Sequence, residues 1–264
     1  MILKDKVVLI TGIGPGMGSH LANLAAQEGA RGIVLASRNQ ANLTRSKNEI
    51  EALDLEAQVL ECVLDISDQA ACDEVIQQAV STFGQLDALI NNAFAFSPFK
   101  PIEDSDIDEW KSVLDVNLFG TLYLSQAAAN QMKQQDTGGA IVMVNTMSAR
   151  NPNVGEAGYA VSKGALKTAT NYLAREVGKY GIRVNTLAPG WMWGASVKAH
   201  FEYAASQGAG NVETLKQHVE KDIALPSMPT DEECAKAVLF LASDYAKAIT
   251  GATLDANGGH YIPL

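Results

Sequence analysis

Cysteine is scarce in this chain, and the three present, Cys62, Cys72 and Cys234, are odd in number, widely spaced and in no CxxC pair. That pattern suggests neither a disulfide framework nor a zinc site. The four histidines, His20, His200, His218 and His260, form no HExxH or other short ligand spacing, so no metal is expected. Basic charge is in deficit, with 20 Lys and Arg against 30 Asp and Glu and a formal net charge of -10, which argues against nucleic acid as a partner. No run approaches the roughly 18 apolar residues that cross a bilayer, so no membrane partner is expected either. Met1 to Thr11 places Lys4 and Lys6 before a short apolar run, as a signal peptide would. The glycines directly behind it, with no small-residue cleavage site, suit a buried first strand better, and a cytoplasmic location is the default expectation. Internal repeats, low-complexity tracts and interdomain linkers are missing as well.

What is present is a globular balance, 47% hydrophobic and 19% charged over 264 residues, enough for one core and one domain. Strand-length apolar runs alternate with helix-length periodic segments, the signature of a parallel sheet wrapped by helices. The expected strands are Lys6 to Thr11, Gly32 to Ser37, Ala57 to Val63, Leu86 to Asn91, Ala140 to Thr146, Arg183 to Ala188 and Ala252 to Asp255. The first five are followed by expected helices at Met17 to Glu28, Gln40 to Leu53, Gln69 to Phe83, Ile107 to Met132 and Ala157 to Lys179. Asn39, Ser67 and Asp106 read as N-caps. The fold class is therefore α/β, a Rossmann-like, doubly wound, seven-stranded parallel sheet with helices on both faces. Residues 190–229 interrupt the rhythm with a long insertion, which in a compact domain suggests a substrate-binding lid.

The first strand runs into Thr11-Gly12-Ile13-Gly14-Pro15-Gly16-Met17-Gly18, and a helix opens at once. Glycines allow the tight turn and let the backbone approach an anion, while the helix N-terminus offers free amides, so a pyrophosphate is expected there. No Lys-Ser or Lys-Thr follows, which excludes a nucleoside-triphosphate loop. About twenty residues further on, NAD folds place an acid against the ribose 2′-hydroxyl. Here Ser37 and Arg38 stand in its place, and a guanidinium suits a 2′-phosphate, so NADP(H) is the preferred cofactor and NAD(H) the alternative.

Tyr159 and Lys163 are four apart in a helical segment and share a face. A free phenol has a pKa of roughly 10, and a neighbouring ammonium pulls it down by about 1–3 pH units, which equips the tyrosine for general acid and base work. In isolation the pair is a weak motif. Its company is stronger: Thr11, Gly12, Gly16 and Gly18; Asp65 and Ile66; Asn91, Asn92 and Ala93; Asn117 in Val116-Asn117-Leu118; Ser148; Pro189 and Gly190; Ile249-Thr250-Gly251; and Asn257-Gly258-Gly259. In this order the chain resembles the short-chain dehydrogenase/reductase family along nearly its whole length.

The resemblance implies that Ser148 hydrogen-bonds the substrate oxygen and Tyr159 exchanges its proton. It further implies that Lys163 binds the nicotinamide ribose and lowers the pKa of Tyr159, and that Asn117 holds a water linking Lys163 to solvent. Asp65 and Ile66 would meet the adenine, and the hydride belongs to the cofactor. Oligomers, dimers or tetramers, are common among such relatives. The expected activity acts on CH–OH groups, interconverting a ketone and a secondary alcohol. The rival readings are an NAD(H) enzyme of the same kind and a cofactor-binding regulatory protein without catalysis.

Departures from the family pattern carry information. The glycine expected after Ala93 is Phe94. The usual serine-to-tyrosine spacing of thirteen falls on Thr146, whereas strand register favours Ser148 and a loop shortened by two residues. Relatives that reduce carbon–carbon double bonds space tyrosine and lysine further apart, which disfavours that reaction. No threonine follows Pro189 and Gly190, where Trp191, Met192, Trp193 and Gly194 stand, so Ser196 or backbone amides are left to serve. Phe94, Phe96, Phe99, Trp191 and Trp193 follow two strands whose ends face one crevice; they read as walls for an apolar, ring-containing substrate or as packing beneath the lid. Glu103, Asp104, Asp106 and Asp108 read as a solvated helix start.

Overall fold

Val7–Thr11 form β1, and all five residues are buried, as a strand covered on both faces requires. The protein, seen here in a computed structural model, is described over residues 1–263. Its other strands are β2 (Gly32–Ser37), β3 (Gln58–Val63), β4 (Ala88–Asn91), β5 (Gly139–Val144), β6 (Ile182–Pro189) and β7 (Thr253–Ala256). They form one parallel sheet of seven strands in the order β3-β2-β1-β4-β5-β6-β7.

Alternate residues of each strand serve opposite faces. Val8 and Ile10 of β1 join one apolar layer with Leu21 of α1 (Met17–Gln27) and Val238 and Leu239 of α9 (Asp231–Ala242). Val7 and Leu9 join the other with Ile76 of α3 (Gln69–Phe83), Leu124 of α5 (Thr121–Gln134) and Leu166 of α6 (Ala157–Val177). The doubly wound α/β class expected from the alternation is what the chain adopts, with α2 (Gln40–Glu51) packed beside α1.

Strand order reverses between β1 and β4, and a crevice opens there at the strand C-termini. A small hydrogen-bond cluster fixes its floor. Thr11 Oγ1 accepts from the Asn92 and Ala93 amides, both at 3.0 Å, while Asn92 Nδ2 donates to the Thr11 and Gly12 carbonyls, also at 3.0 Å. Gly12 has φ +71°, and a Cβ there would lie 2.7 Å from the Ala93 backbone. Gly18 packs so closely on the Gly12 carbonyl that a Cβ would overlap it. The two glycines are thus demanded by close approach as well as by turn geometry.

Two expectations are corrected. The helix expected over Ile107 to Met132 is α4 (Ile107–Leu114) and α5 joined by a π-helical turn, Asp115–Gly120, with Asn117 inside it. At its end Gly120 packs on the Ile66 carbonyl, where a Cβ would come within 2.6 Å. Second, the N-cap of α3 is Asp68, whose carboxylate accepts from Ala70 and Ala71, whereas Ser67 bonds Asp65 instead. The 190–229 insertion contains α7 (Ala195–Ser206) and α8 (Val212–Glu220), gathered around Phe201, Ile223 and Met228. Among the described residues no helix is long and apolar enough to cross a membrane.

Thr11→Val keeps the side-chain shape but removes the acceptor from two buried amides. It should lower unfolding free energy by roughly 1–3 kcal/mol, and a urea titration that gives an unchanged midpoint would refute the role of this hydroxyl.

Candidate active site

Two recesses meet at the switch point. The smaller, about 170 Å³, is lined by Gly12, Ser37, Arg38, Asp65, Ile66, Asn92 and Ala93. The larger, about 500 Å³, runs along Gly12, Gly16, Met17 and Gly18 to Ser148, Tyr159, Lys163, Pro189 and Gly190. Gly12, Asn92 and Phe94 belong to both. The residues that sequence reading singled out along some 180 positions are thereby brought to one groove, with Asn117 beneath it.

Tyr159 and Lys163 sit in the first turns of α6, which is pinned from three sides. The Tyr159 amide donates to Ser97 Oγ at 3.2 Å, and Gly158 lies against Trp110, where a Cβ would be 2.8 Å from the indole. Ser162 Oγ donates to the Tyr159 carbonyl at 2.7 Å and accepts from Asn117 Nδ2 at 2.9 Å. Asn145 Nδ2 donates to the Lys163 carbonyl at 2.9 Å. Lys163 itself is buried, with Nζ donating to the Val144 carbonyl at 2.8 Å and lying 5.9 Å from the Tyr159 ring centre.

Asn117 is fully buried, and its amide is committed: Nδ2 donates to the Ala95 carbonyl and to Ser162, and Oδ1 accepts from the Ala95 amide at 2.7 Å. Both side-chain donors are therefore spent on protein partners, and the side chain ties the loop after β4 to α6. Ser148 lies in a 3₁₀ turn, Met147–Ala149, that begins after β5 has ended, and Thr146 caps that turn. The hydroxyls of Thr146 and Ser148 are 3.3 Å apart and both line the cavity, so the alternatives in the sequence are neighbours in space.

Burial dominates the electrostatics of the pair. Burial pushes the Tyr159 phenol above its ordinary value, Glu156 adds to this, and the Thr146 hydroxyl opposes it. Burial also drives the Lys163 ammonium down to about 7. In the free protein the tyrosine is thus a neutral phenol, and the lysine stands near half-protonation at neutral pH. In the smaller recess, Asp65 is held below the usual carboxylate range by hydrogen bonds from Ser67 and, to a lesser degree, by the Arg38 guanidinium.

Phe96 stacks 4.3 Å from the Tyr159 ring, with Phe94 and Phe99 at 5.1 and 5.8 Å from Phe96. These three phenylalanines are 46–54% exposed, large apolar surface facing the groove rather than the core. Trp191 closes the opposite side with His200. Trp193 departs from expectation. It turns away from the cavity and packs beside Phe201, with Lys198 and Lys216 over its ring, because the α7–α8 segment has its own apolar cluster to fill.

Ser196 lines the cavity, and so does a residue the sequence reading passed over, Asp231. Its carboxyl is so close to Gly194 that no side chain fits there, and it is only 7% exposed. As the first residue of an ordinary capping-box helix it carried no signal of its own. The three cysteines are buried and free, with thiols pushed up to about 11 or 12 by burial, so they are inert bystanders.

The donor set fits a dinucleotide. Glycines packed to backbone contact form a cradle at a helix N-terminus, and a polar recess follows at the ends of β2 and β3. A family model described as enoyl-(acyl carrier protein) reductase matches residues 12–261. L-Rhamnose 1-dehydrogenase (NAD(P)(+)) of Sphingomonas sp. (strain SKA58) is 32% identical over 100% of this chain and 99% of that protein. The probable 2,4-dienoyl-CoA reductase of Bacillus subtilis (strain 168) is 34% identical over 98% of each. Among solved structures, levodione reductase superposes with a TM-score of 0.90 at 28% identity, covering 97% of this chain and 98% of that one. The chain belongs to the short-chain dehydrogenase/reductase family. It is an NAD(P)-dependent oxidoreductase.

A buried lysine with a depressed pKa destabilises the fold most where both states carry the proton, and the penalty fades as pH rises from the folded value to the unfolded one. Lys163→Met should therefore gain stability relative to the parent chiefly below about pH 7, the gain shrinking toward pH 10.5. Thermal melts of both proteins across that range check this, and a pH-independent difference would contradict it.

Proposed function

We propose that the protein reduces a ketone, or oxidises the corresponding secondary alcohol, on an apolar, ring-containing substrate, with NADP(H) preferred. The observation that carries this reading is the buried Tyr159–Lys163 pair beside the Thr146 and Ser148 hydroxyls, in a cavity walled by phenylalanines and continuous with the glycine turn. The dinucleotide, when bound, supplies or accepts the hydride. Gly12, Gly16, Met17 and Gly18 would hold its pyrophosphate. Asp65, Ile66, Asn92 and Ala93 would border its adenosine, Ser37 and Arg38 its 2′-phosphate, and Lys163, Pro189 and Gly190 its nicotinamide half.

Ser148, with Thr146 at its side, orients the substrate oxygen, and Tyr159 delivers the proton to it. The un-ionised phenol of the free protein is already the form that reduction requires. Lys163 needs its proton to favour phenolate in the opposite direction, so oxidation is confined to conditions that keep the ammonium charged or bring further positive charge to the site. Asn117 acts at one remove, holding Ala95 and Ser162 and so the register of α6 against the aromatic loop. Residues 190–229 serve as the lid, with Trp191 on its inner side.

The relatives span a sugar dehydrogenase and a dienoyl-CoA reductase by name. Three features here favour a carbonyl oxygen over a carbon–carbon double bond: the four-residue spacing of Tyr159 and Lys163, and the two hydroxyls beside the phenol. Phe94, Phe96 and Phe99 favour an apolar ring over a sugar, which would leave hydroxyls without partners on that wall.

Tyr159→Phe should reduce turnover by about 10²–10⁴-fold while NADPH affinity stays nearly constant; retained turnover on a panel of ketones and secondary alcohols would end the mechanism. Arg38→Asp should weaken NADPH by roughly ten- to a hundredfold and spare NADH. Equal titration curves for both cofactors before and after the change would remove Arg38 from the 2′-phosphate site.

A further inference from the structure

Asp231 combines features that the active-site description leaves without a purpose. It is the first residue of α9, beyond its cap Thr230, yet its carboxyl reaches out of that helix and contacts Gly194. There it lies at the start of α7, whose own N-cap, Gly194, has no side chain. From the same position its Oδ2 is 3.4 Å from where a Cβ of Gly16 would stand, so it faces the glycine turn across the cavity wall. One carboxyl therefore lies against the start of the α7–α8 segment and faces the turn that fits a pyrophosphate.

A carboxylate is an unusual neighbour for an anion site. Two negative charges a few ångströms apart repel strongly where water is scarce, and one relief is for the carboxyl to take up a proton. We propose that Asp231 couples proton uptake to dinucleotide binding, favouring a pyrophosphate on the Gly12–Gly18 turn when its carboxyl is protonated and opposing it when ionised. The inference rests on the dinucleotide reading of that turn.

The surroundings already lean toward the protonated form. Burial raises the Asp231 carboxyl above its ordinary range, outweighing the opposing pull of His20 on α1, the Ala195 amide and Lys198 on α7. On its own helix the neighbouring thiol of Cys234 is kept neutral, partly by Asp231 itself, and Glu233 is turned back onto Thr230. A second negative charge arriving at Gly16 acts in the same direction as burial. Gly194 is then explained as well: any side chain there would displace the carboxyl from its place between α7 and the turn.

ADP-ribose is the probe, because it carries the pyrophosphate without the nicotinamide and without a titrating 2′-phosphate. Its affinity for the full chain is measured by calorimetry from pH 5 to pH 8, in paired buffers of different ionisation enthalpy. The expectation is proton uptake on binding and an affinity that weakens by roughly tenfold across the range. Asp231→Asn keeps the side-chain shape but cannot ionise, and should bind with a flatter pH profile and less proton uptake. Every other ionisable group is common to both proteins, so the difference between the two isolates residue 231. Equal pH slopes and equal proton uptake in the two proteins overturn the proposal while leaving the dinucleotide site standing. Failure of both proteins to bind ADP-ribose at any pH overturns the dinucleotide site itself. Should the variant not fold, the buffer pairs on the parent still decide: no proton uptake overturns the coupling.

Discussion

The hydrogen bonds between Thr11 and Asn92 are the constraint on which the rest of the site depends. They join the ends of β1 and β4 where strand order reverses, and so turn a gap between two diverging connections into a floor with fixed dimensions. Everything functional is then placed by distance from that floor. Gly12 rests on Ala93, Gly18 rests on Gly12, and α1 starts from there. On the other side Asn92 leads into Ala95, Asn117 grips Ala95, and through Ser162 that grip sets the start of α6 with Tyr159 and Lys163. The glycine turn and the tyrosine are some 140 residues apart in sequence but only a few buried hydrogen bonds apart in space.

The same burial that makes these bonds strong sets the ionisation of the reacting groups. Tyr159 is dry enough to stay a phenol, and Lys163, sharing its one buried contact with the Val144 carbonyl, is dry enough to lose much of its hold on a proton. A fully hydrated pair would behave in the opposite way, with a charged lysine acting on a tyrosine of ordinary pKa. The cavity therefore biases the resting protein toward proton donation, and shifting that bias requires added positive charge near the pair. The stack of Phe96 on the Tyr159 ring contributes to that exclusion of water.

How far the sequence could be read follows from where each signal lives. The strands, the glycine turn and α6 were legible because they rest on local patterns: apolar alternation, φ above zero at Gly12, and spacing on one helix face. The π turn at Asp115–Gly120 was not, since no proline or glycine pair marks a break in the helical period and the Ile66 carbonyl on which Gly120 packs is far away in the chain. The place of Trp193 after β6 suggests the cavity, but the chain between β6 and α7 is irregular, so residues two apart need not share a side, and Trp191 takes the inner one. The raised pKa of Tyr159 was hidden for a related reason: a motif names the partner, Lys163, whereas burial is a sum over the whole fold. Asp231 was silent because its sequence context explains it completely as a helix start, and only the absence of a side chain at Gly194 makes room for its second role.

The two sides of the cavity differ in kind, and the difference suits oxidoreduction. Thr146, Ser148, Tyr159 and Lys163 stand on or beside β5 and α6, joined to the two large apolar layers of the body. Facing them, the α7–α8 segment has only Phe201, Ile223 and Met228 as its buried core, and a cluster of that size holds its shape with much less free energy. Proton and hydride transfer tolerate little misplacement, since an error of about 1 Å can cost a hundredfold in rate. Apolar contact tolerates far more, because it depends on area removed from water rather than on direction. Polar groups that must aim are therefore carried by the stiff side. Of the apolar groups that only cover, Trp191 is carried by the side that can yield, and Phe94, Phe96 and Phe99 by the loop after β4. Within such a division a chain can change which ring it accepts by altering the yielding side, with the reacting atoms left where the floor at Thr11 and Asn92 puts them.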